Sequence, residues 1–184
     1  MANDMESLAL IMQQIRTELG PPEQDTLTAR QPARSGVAPA YDWGQVLTFG
    51  AAGNGLPCLG RGWSYPEETR TWSEEASAGL ALQVSPVHGL VILSFRCEPF
   101  TSDKTPTQVV RLAAGGQIQG EWMITQPGDY HALLSLPVGT ETITMEFQFR
   151  NAHSPLDAGL SADPRKLGIA LNRLSLHPLP SSTS

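Results

Sequence analysis

The hydrophobic positions of the chain fall into two regimes. In the first twenty residues Met5, Leu8, Ile11, Met12, Ile15 and Leu19 recur at intervals of three and four, the spacing that gathers side chains on one face of an α-helix. Asn3 is placed to cap that helix, and Glu6, three positions on, completes a capping box. Gly20-Pro21-Pro22 stops it, because glycine accepts the left-handed C′ conformation and proline cannot continue a helix. A lone helix of this length is marginal in water. Its apolar stripe therefore needs a partner, whether its own domain, a second copy or another protein. Leu8, Ile11, Met12, Ile15 and Leu19 are the candidate partner-binding residues.

Residues 21–40 contain four prolines and little that could be buried, which reads as a linker. From Tyr41 the period changes to two. Short strands are expected at Gln45–Phe49, around Leu80, Leu82 and Val84, and at Leu90–Phe95, whose unbroken apolar run suggests burial on both faces. Gln108–Leu112 and Gln117–Ile124 flank Ala113-Ala114-Gly115-Gly116, a hairpin pattern. Tyr130–Leu136 follows a Pro-Gly-Asp turn. Ile143, Met145, Phe147 and Phe149 alternate strictly with polar residues, and the run Leu167–Leu176 slips phase at Asn172-Arg173, as at a β-bulge. About eight strands without intervening helices predict an all-β, antiparallel β-sandwich, jelly-roll-like, over residues 41–180. It is preceded by the 1–20 amphipathic α-helix and followed by a loose tail at 181–184.

Composition narrows the function classes. The 184 residues carry a net charge of −6, which argues against a partner as polyanionic as nucleic acid. No apolar stretch approaches membrane-spanning length, and the N-terminus is acidic where a signal peptide would be basic, so a cytoplasmic chain without direct membrane insertion is expected. Cys58 and Cys97 are expected as buried free thiols. The four histidines have no zinc spacing and no Asp-rich loop asks for calcium, so no cofactor or metal is expected.

Two polar segments exceed what a sandwich needs. One is Gly60–Ser73, with two tryptophans, a tyrosine, two glutamates and two arginines. The other is the long connection Asn151–Gly168. Gly-Trp-Ser-x-Pro-Glu at 62–67 with Trp-Ser at 72–73, then Ser-Pro-x-x-x-Gly-Leu-Ser-x-Asp-x-Arg-x-Leu-Gly-Ile-Ala-Leu at 154–171, resembles the β-sandwich accessory domain attached to bacterial glycosyltransferases and membrane phosphoglycerol transferases. The resemblance spans roughly residues 59–176. It implies a role in polysaccharide or glycolipid assembly, by carbohydrate recognition or by support of a catalytic partner. The family's polar positions fall on Trp63, Ser64, Glu67, Trp72, Asp163 and Arg165. This chain departs from the pattern at Glu68-Thr69-Arg70-Thr71 and at Asp157-Ala158.

The residues also support recognition on their own chemistry. An indole plane packs on the apolar face of a sugar, while carboxylates and guanidinium groups match its hydroxyls. Trp63 or Trp72 with Ser64, Glu67, Arg70, Asp163 and Arg165 supplies that set, and His153 stands close by in sequence to donate to a hydroxyl. The structural alternative stays open: both tryptophans as core or edge cover, and Asp163 with Arg165 as an ion pair bracing the long loop. Catalysis is not expected. Glu67-Glu68 and Glu74-Glu75 are neighbours whose side chains diverge on a strand, and no Asp-x-Asp site, P-loop, dinucleotide fingerprint or nucleophile elbow is present. The expected function is a non-catalytic carbohydrate-recognition or accessory module working with a glycosyltransferase or synthase partner. The alternative is an assembly protein that binds itself, as a homo-oligomer, or a synthase through the N-terminal helix.

Overall fold

The computed structural model describes residues 36–87 and 89–179. The N-terminal helix with its partner-binding residues Leu8, Ile11, Met12, Ile15 and Leu19, and the tail at 181–184, lie outside the described residues.

Ten strands build two antiparallel sheets: β1 Leu47–Thr48, β2 Trp63–Pro66, β3 Thr71–Ser73, β4 Ser77–Val87, β5 Leu90–Pro99, β6 Gln108–Ala114, β7 Gln117–Ile124, β8 Gly128–Ser135, β9 Thr140–Phe149 and β10 Ile169–Pro178. One sheet has the order β2-β3-β10-β5-β8, with β1 also on β10; the other runs β4-β9-β6-β7. Set face to face, β3-β10-β5-β8 and β4-β9-β6-β7 have the strand order of an eight-stranded jelly roll, as expected. The alternating apolar residues of β4, β5, β6, β9 and β10 point inward. Phe95 of β5 meets Phe147 of β9 edge-on at 5.3 Å and Trp122 at 5.2 Å, so the aromatic centre locks the two sheets together. Each fully buried side chain of this size contributes about 2–3 kcal/mol of hydrophobic stabilisation.

Two expectations need correction. The run Leu90–Phe95 is buried on one face only: Val91, Leu93 and Phe95 are enclosed, whereas Ile92 and Ser94 lie on a partly open outer face. Among the described residues no second layer covers that face. β2 and β3 were not anticipated as strands; they are short, and their buried positions include the polar Ser64, Thr71 and Ser73. The expected bulge is present, with the register of β10 against β5 shifting between Leu171 and Arg173. The hairpin turn is Gly115-Gly116, both at positive φ, while Ala113 and Ala114 belong to β6.

The first polar segment crosses from one sheet to the other. Residues 59–61 run along the edge of β4, where Gly60 N donates to Gly79 O at 2.7 Å and Gly79 N to Arg61 O at 2.9 Å. Farther along the same edge, Gln83 N donates to Pro39 O and Tyr41 N to Gln83 O. The edge of β4 is thus covered over much of its length, which limits edge-to-edge association there.

Candidate functional site

The two motifs, a hundred residues apart, do converge. Gly62 turns the chain at φ +85°, and a Cβ there would lie 2.0 Å from Ser77 O, so only glycine fits. That turn sends Trp63 between the sheets, where it is 0% exposed, packs edge-on to Phe147 at 6.2 Å and donates Nε1–H to Gly79 O at 2.8 Å. Ser64 is buried too, and its Oγ accepts from Arg165 Nη1 at 2.5 Å. Arg165 is clasped by Asp163, with Nε 3.0 Å from both carboxylate oxygens and Nη2 2.5 Å from Oδ2. This bond holds the Asp163 carboxyl below the usual carboxylate range and raises Arg165, to which the charges of Glu74 and Glu67 add. Ser73, at the end of β3, accepts from both Gly168 N (3.0 Å) and Ile169 N (3.1 Å). At Gly168 a Cβ would lie 2.4 Å from the Phe149 ring, which explains the glycine of the second motif. The base of the connection is closed by the mutual backbone bonds of His153 and Leu167.

Beside this brace lies a layer built on β3. Trp72 pairs with Ala170 and stands half-buried, edge-on to Phe100 at 6.1 Å. The Arg70 guanidinium lies 5.5 Å from the centre of its ring, a cation–π distance. Arg70 bonds Glu67 at 2.8 Å and Glu98 on the other side, and the Glu67 hydrogen bond is the main cause of its raised pKa. Glu98 also accepts from Asn172 Nδ2 at 3.1 Å. His153 is seated against Phe100 at 4.8 Å, with Nδ1 3.0 Å from Asn151 O. Its Nε2 is buried without a hydrogen-bond partner among the described residues.

The structure therefore redistributes the predicted site. Trp63 is corrected from ligand face to core: an enclosed indole with its N–H already bonded has no plane to offer a sugar. The Ser64 hydroxyl is buried and already accepts from Arg165. Asp163 and Arg165 stay partly exposed but are bonded to one another. Glu67, Arg70 and Trp72 come together at the surface, and His153 joins that group only through Phe100.

A second polar surface, absent from the sequence reading, lies on the outer face of the six-stranded sheet. The register Arg173↔Arg96↔Asp129 sets three charged residues in one row across β10, β5 and β8. Asp129 bonds both arginines, Oδ2 with Arg96 Nη1 at 2.9 Å and Oδ1 with Arg173 Nη2 at 3.0 Å. These bonds, that of Arg173 foremost, hold its carboxyl below the usual range. In the next row Ser94 Oγ lies 2.9 Å from His131 Nδ1. Two depressions share Arg96 and Arg173. One, of about 310 Å³, reaches Ser94, His131 and Ser175; the other, of about 430 Å³, reaches Asn172, Glu68 and the Gly50–Gly53 turn. Among the described residues no three His, Cys, Asp or Glu side chains are grouped to hold a metal ion, and no described helix is long and apolar enough to cross a membrane.

No protein-family model matches the chain, and no curated protein matches it in sequence. Solved structures similar to it include carbohydrate-binding β-sandwich domains. The CBM36-1 domain of a multidomain xylanase from the hindgut metagenome of Trinervitermes trinervoides aligns at 10% identity and TM-score 0.44, over 74% of this chain and 98% of that one. The CBM22-1 xylan-binding domain of Xyn10C from Paenibacillus barcinonensis aligns at 13% identity and TM-score 0.45, over 79% and 100%. A family 35 carbohydrate binding module from Clostridium thermocellum aligns at 14% identity and TM-score 0.39, over 66% and 87%. At these values the likeness identifies neither a family nor a ligand.

Proposed function

We propose that the sandwich is a non-catalytic carbohydrate-recognition module, serving polysaccharide or glycoconjugate assembly as the motif resemblance implies. Its recognition surface is the outer face of the six-stranded sheet, flanked by Glu67, Arg70 and Trp72. One observation carries the reading: two depressions share Arg96 and Arg173 as lining, so donors and acceptors from three strands and a neighbouring turn are gathered at one place on that face. Sugar hydroxyls both donate and accept, and planar carboxylate and guanidinium groups meet them in pairs. Rows of such groups, set by the roughly 4.8 Å strand spacing, suit an extended chain of sugar rings. The surface does not resemble a hydrolytic site. Asp129 is held ionised between two guanidinium groups, and so is no general acid.

On this reading the Ser64–Arg165–Asp163 brace is scaffold, and the N-terminal helix brings the module to a glycosyltransferase or synthase partner, or to a second copy. The test is a glycan array probed with the full chain. Wild type is expected to retain a glycan, Ser175→Trp to lose it by filling the depression it lines, and Thr144→Trp, on the outer face of the other sheet, to keep it. Retention of no glycan, or retention undiminished in Ser175→Trp, overturns the proposal.

A further inference from the structure

The row Arg173–Arg96–Asp129 contains one more cation than the fold needs. Arg96 and Arg173 face each other directly across neighbouring strands, a like-charge pairing that destabilises a sheet. Asp129, beyond Arg96 in the same row, reaches both and offsets the repulsion, but the three groups still sum to one positive charge in a chain of net charge −6. The Arg96–Asp129 pair alone would close the row electrically. Instead the bulge between Leu171 and Arg173 resets β10 so that a second guanidinium stands beside the first.

Each arginine has five N–H donors and uses one on Asp129. The two side chains stay 41% and 54% exposed, with donors unused among the described residues at the point the two depressions share. On one side the small residues Gly50, Ala52 and Gly53 leave the approach open.

We infer that Arg96 and Arg173, spaced by Asp129, form an oxyanion subsite that takes a carboxylate or phosphate group carried on the bound saccharide. The inference rests on the recognition reading above and adds a ligand class to it. Paired guanidinium forks suit such a group because each can present two parallel N–H donors to a planar or tetrahedral oxyanion. A neutral sugar would offer these guanidinium donors hydroxyl oxygens only, without an opposite charge.

The test is isothermal titration of the full chain with three probes: trigalacturonic acid, its fully methyl-esterified form and inorganic phosphate. Each is run in about 50 mM and about 500 mM NaCl, the higher salt shortening the Debye length several-fold. One acidic probe is expected to bind, with its affinity reduced by salt. Arg173→Gln and Arg96→Gln are each expected to weaken it about 10- to 100-fold, while Arg111→Gln on the other sheet leaves it unchanged. Binding of the triuronate but not its ester assigns a carboxylate; binding of phosphate alone assigns a phosphate group. The acid–ester comparison uses wild type only, so a variant that fails to fold does not blunt the test. Equal binding of acid and ester overturns the oxyanion subsite and leaves carbohydrate recognition standing. Failure of both acidic probes while the array retains a neutral glycan does the same. An array that retains nothing overturns both.

Discussion

Ser73→Ala isolates the brace between the two motifs. One hydroxyl oxygen, 0% exposed with its residue, satisfies two successive backbone N–H groups, those of Gly168 and Ile169, at the point where the long connection enters β10. Alanine fits the same space without strain but leaves both donors unpaired. A buried donor without a partner costs about 1–3 kcal/mol, so the expected loss is about 2–4 kcal/mol after some relaxation. For a domain of this size that lowers the melting temperature by roughly 5–15 °C. Ser64→Ala is the internal control. It removes one bond from an arginine that remains partly solvated and keeps Asp163, so it should cost only about 0.5–1.5 kcal/mol. Urea denaturation followed by tryptophan fluorescence measures both, with an unchanged m-value showing that the denatured state is not altered. A Ser73→Ala loss under about 0.5 kcal/mol, the range of an ordinary surface change, refutes the reasoning.

Three further outcomes follow from the same geometry. Gly62→Ala must place a Cβ 2.0 Å from Ser77 O at φ +85°, and is expected to lose about 2–4 kcal/mol in the same urea titration; a loss no larger than that of an exposed Gly→Ala change would contradict it. Burial pushes the Cys58 thiol up to about 11 and that of Cys97 up to about 12, so neither should react with a thiol-specific dye at pH 8 until the protein unfolds. Rapid labelling of the native state would show that one of them is open. The Arg165 bond lowers the folded pKa of Asp163 below its unfolded value. Its contribution is therefore complete above about pH 4 and lost as pH falls through the folded value. Melting temperature against pH should fall less steeply below about pH 4 in Asp163→Asn than in wild type; parallel curves would remove Asp163 from the acid response.

The long strands were legible because one face of each is apolar and the other wet. Ile143 to Phe149 alternates in sequence as it does in burial, and the phase slip at Asn172-Arg173 is the bulge itself. β2 and β3 were hidden because their buried residues Ser64, Thr71 and Ser73 look like surface residues. Their burial is tolerable only with partners such as Phe49 O, 2.6 Å from Thr71 Oγ1, which no local pattern discloses. The same blindness made Trp63 look like a sugar platform, since a tryptophan among polar neighbours reads as exposed until its N–H partner, sixteen residues on, is known.

Arg96, Asp129 and Arg173 were missed for a different reason. Each is a single charged residue at a wet position of its strand, and they meet only through cross-strand register over 33 and 44 positions. The bulge was the one local sign that β10 is reset there. What the sequence did carry was the convergence of two distant motifs, although they meet as a brace.

The central claim is that the outer face of the six-stranded sheet, and not the Trp63 loop, is the recognition surface. Amide chemical-shift mapping of the full chain, titrated with the glycan the array retains, tests it directly. Saturable shifts are expected to concentrate at Ser94, Arg96, Asp129, His131, Arg173 and Ser175. Shifts confined to residues 154–166, or to the outer face of β4, β9, β6 and β7, would contradict it.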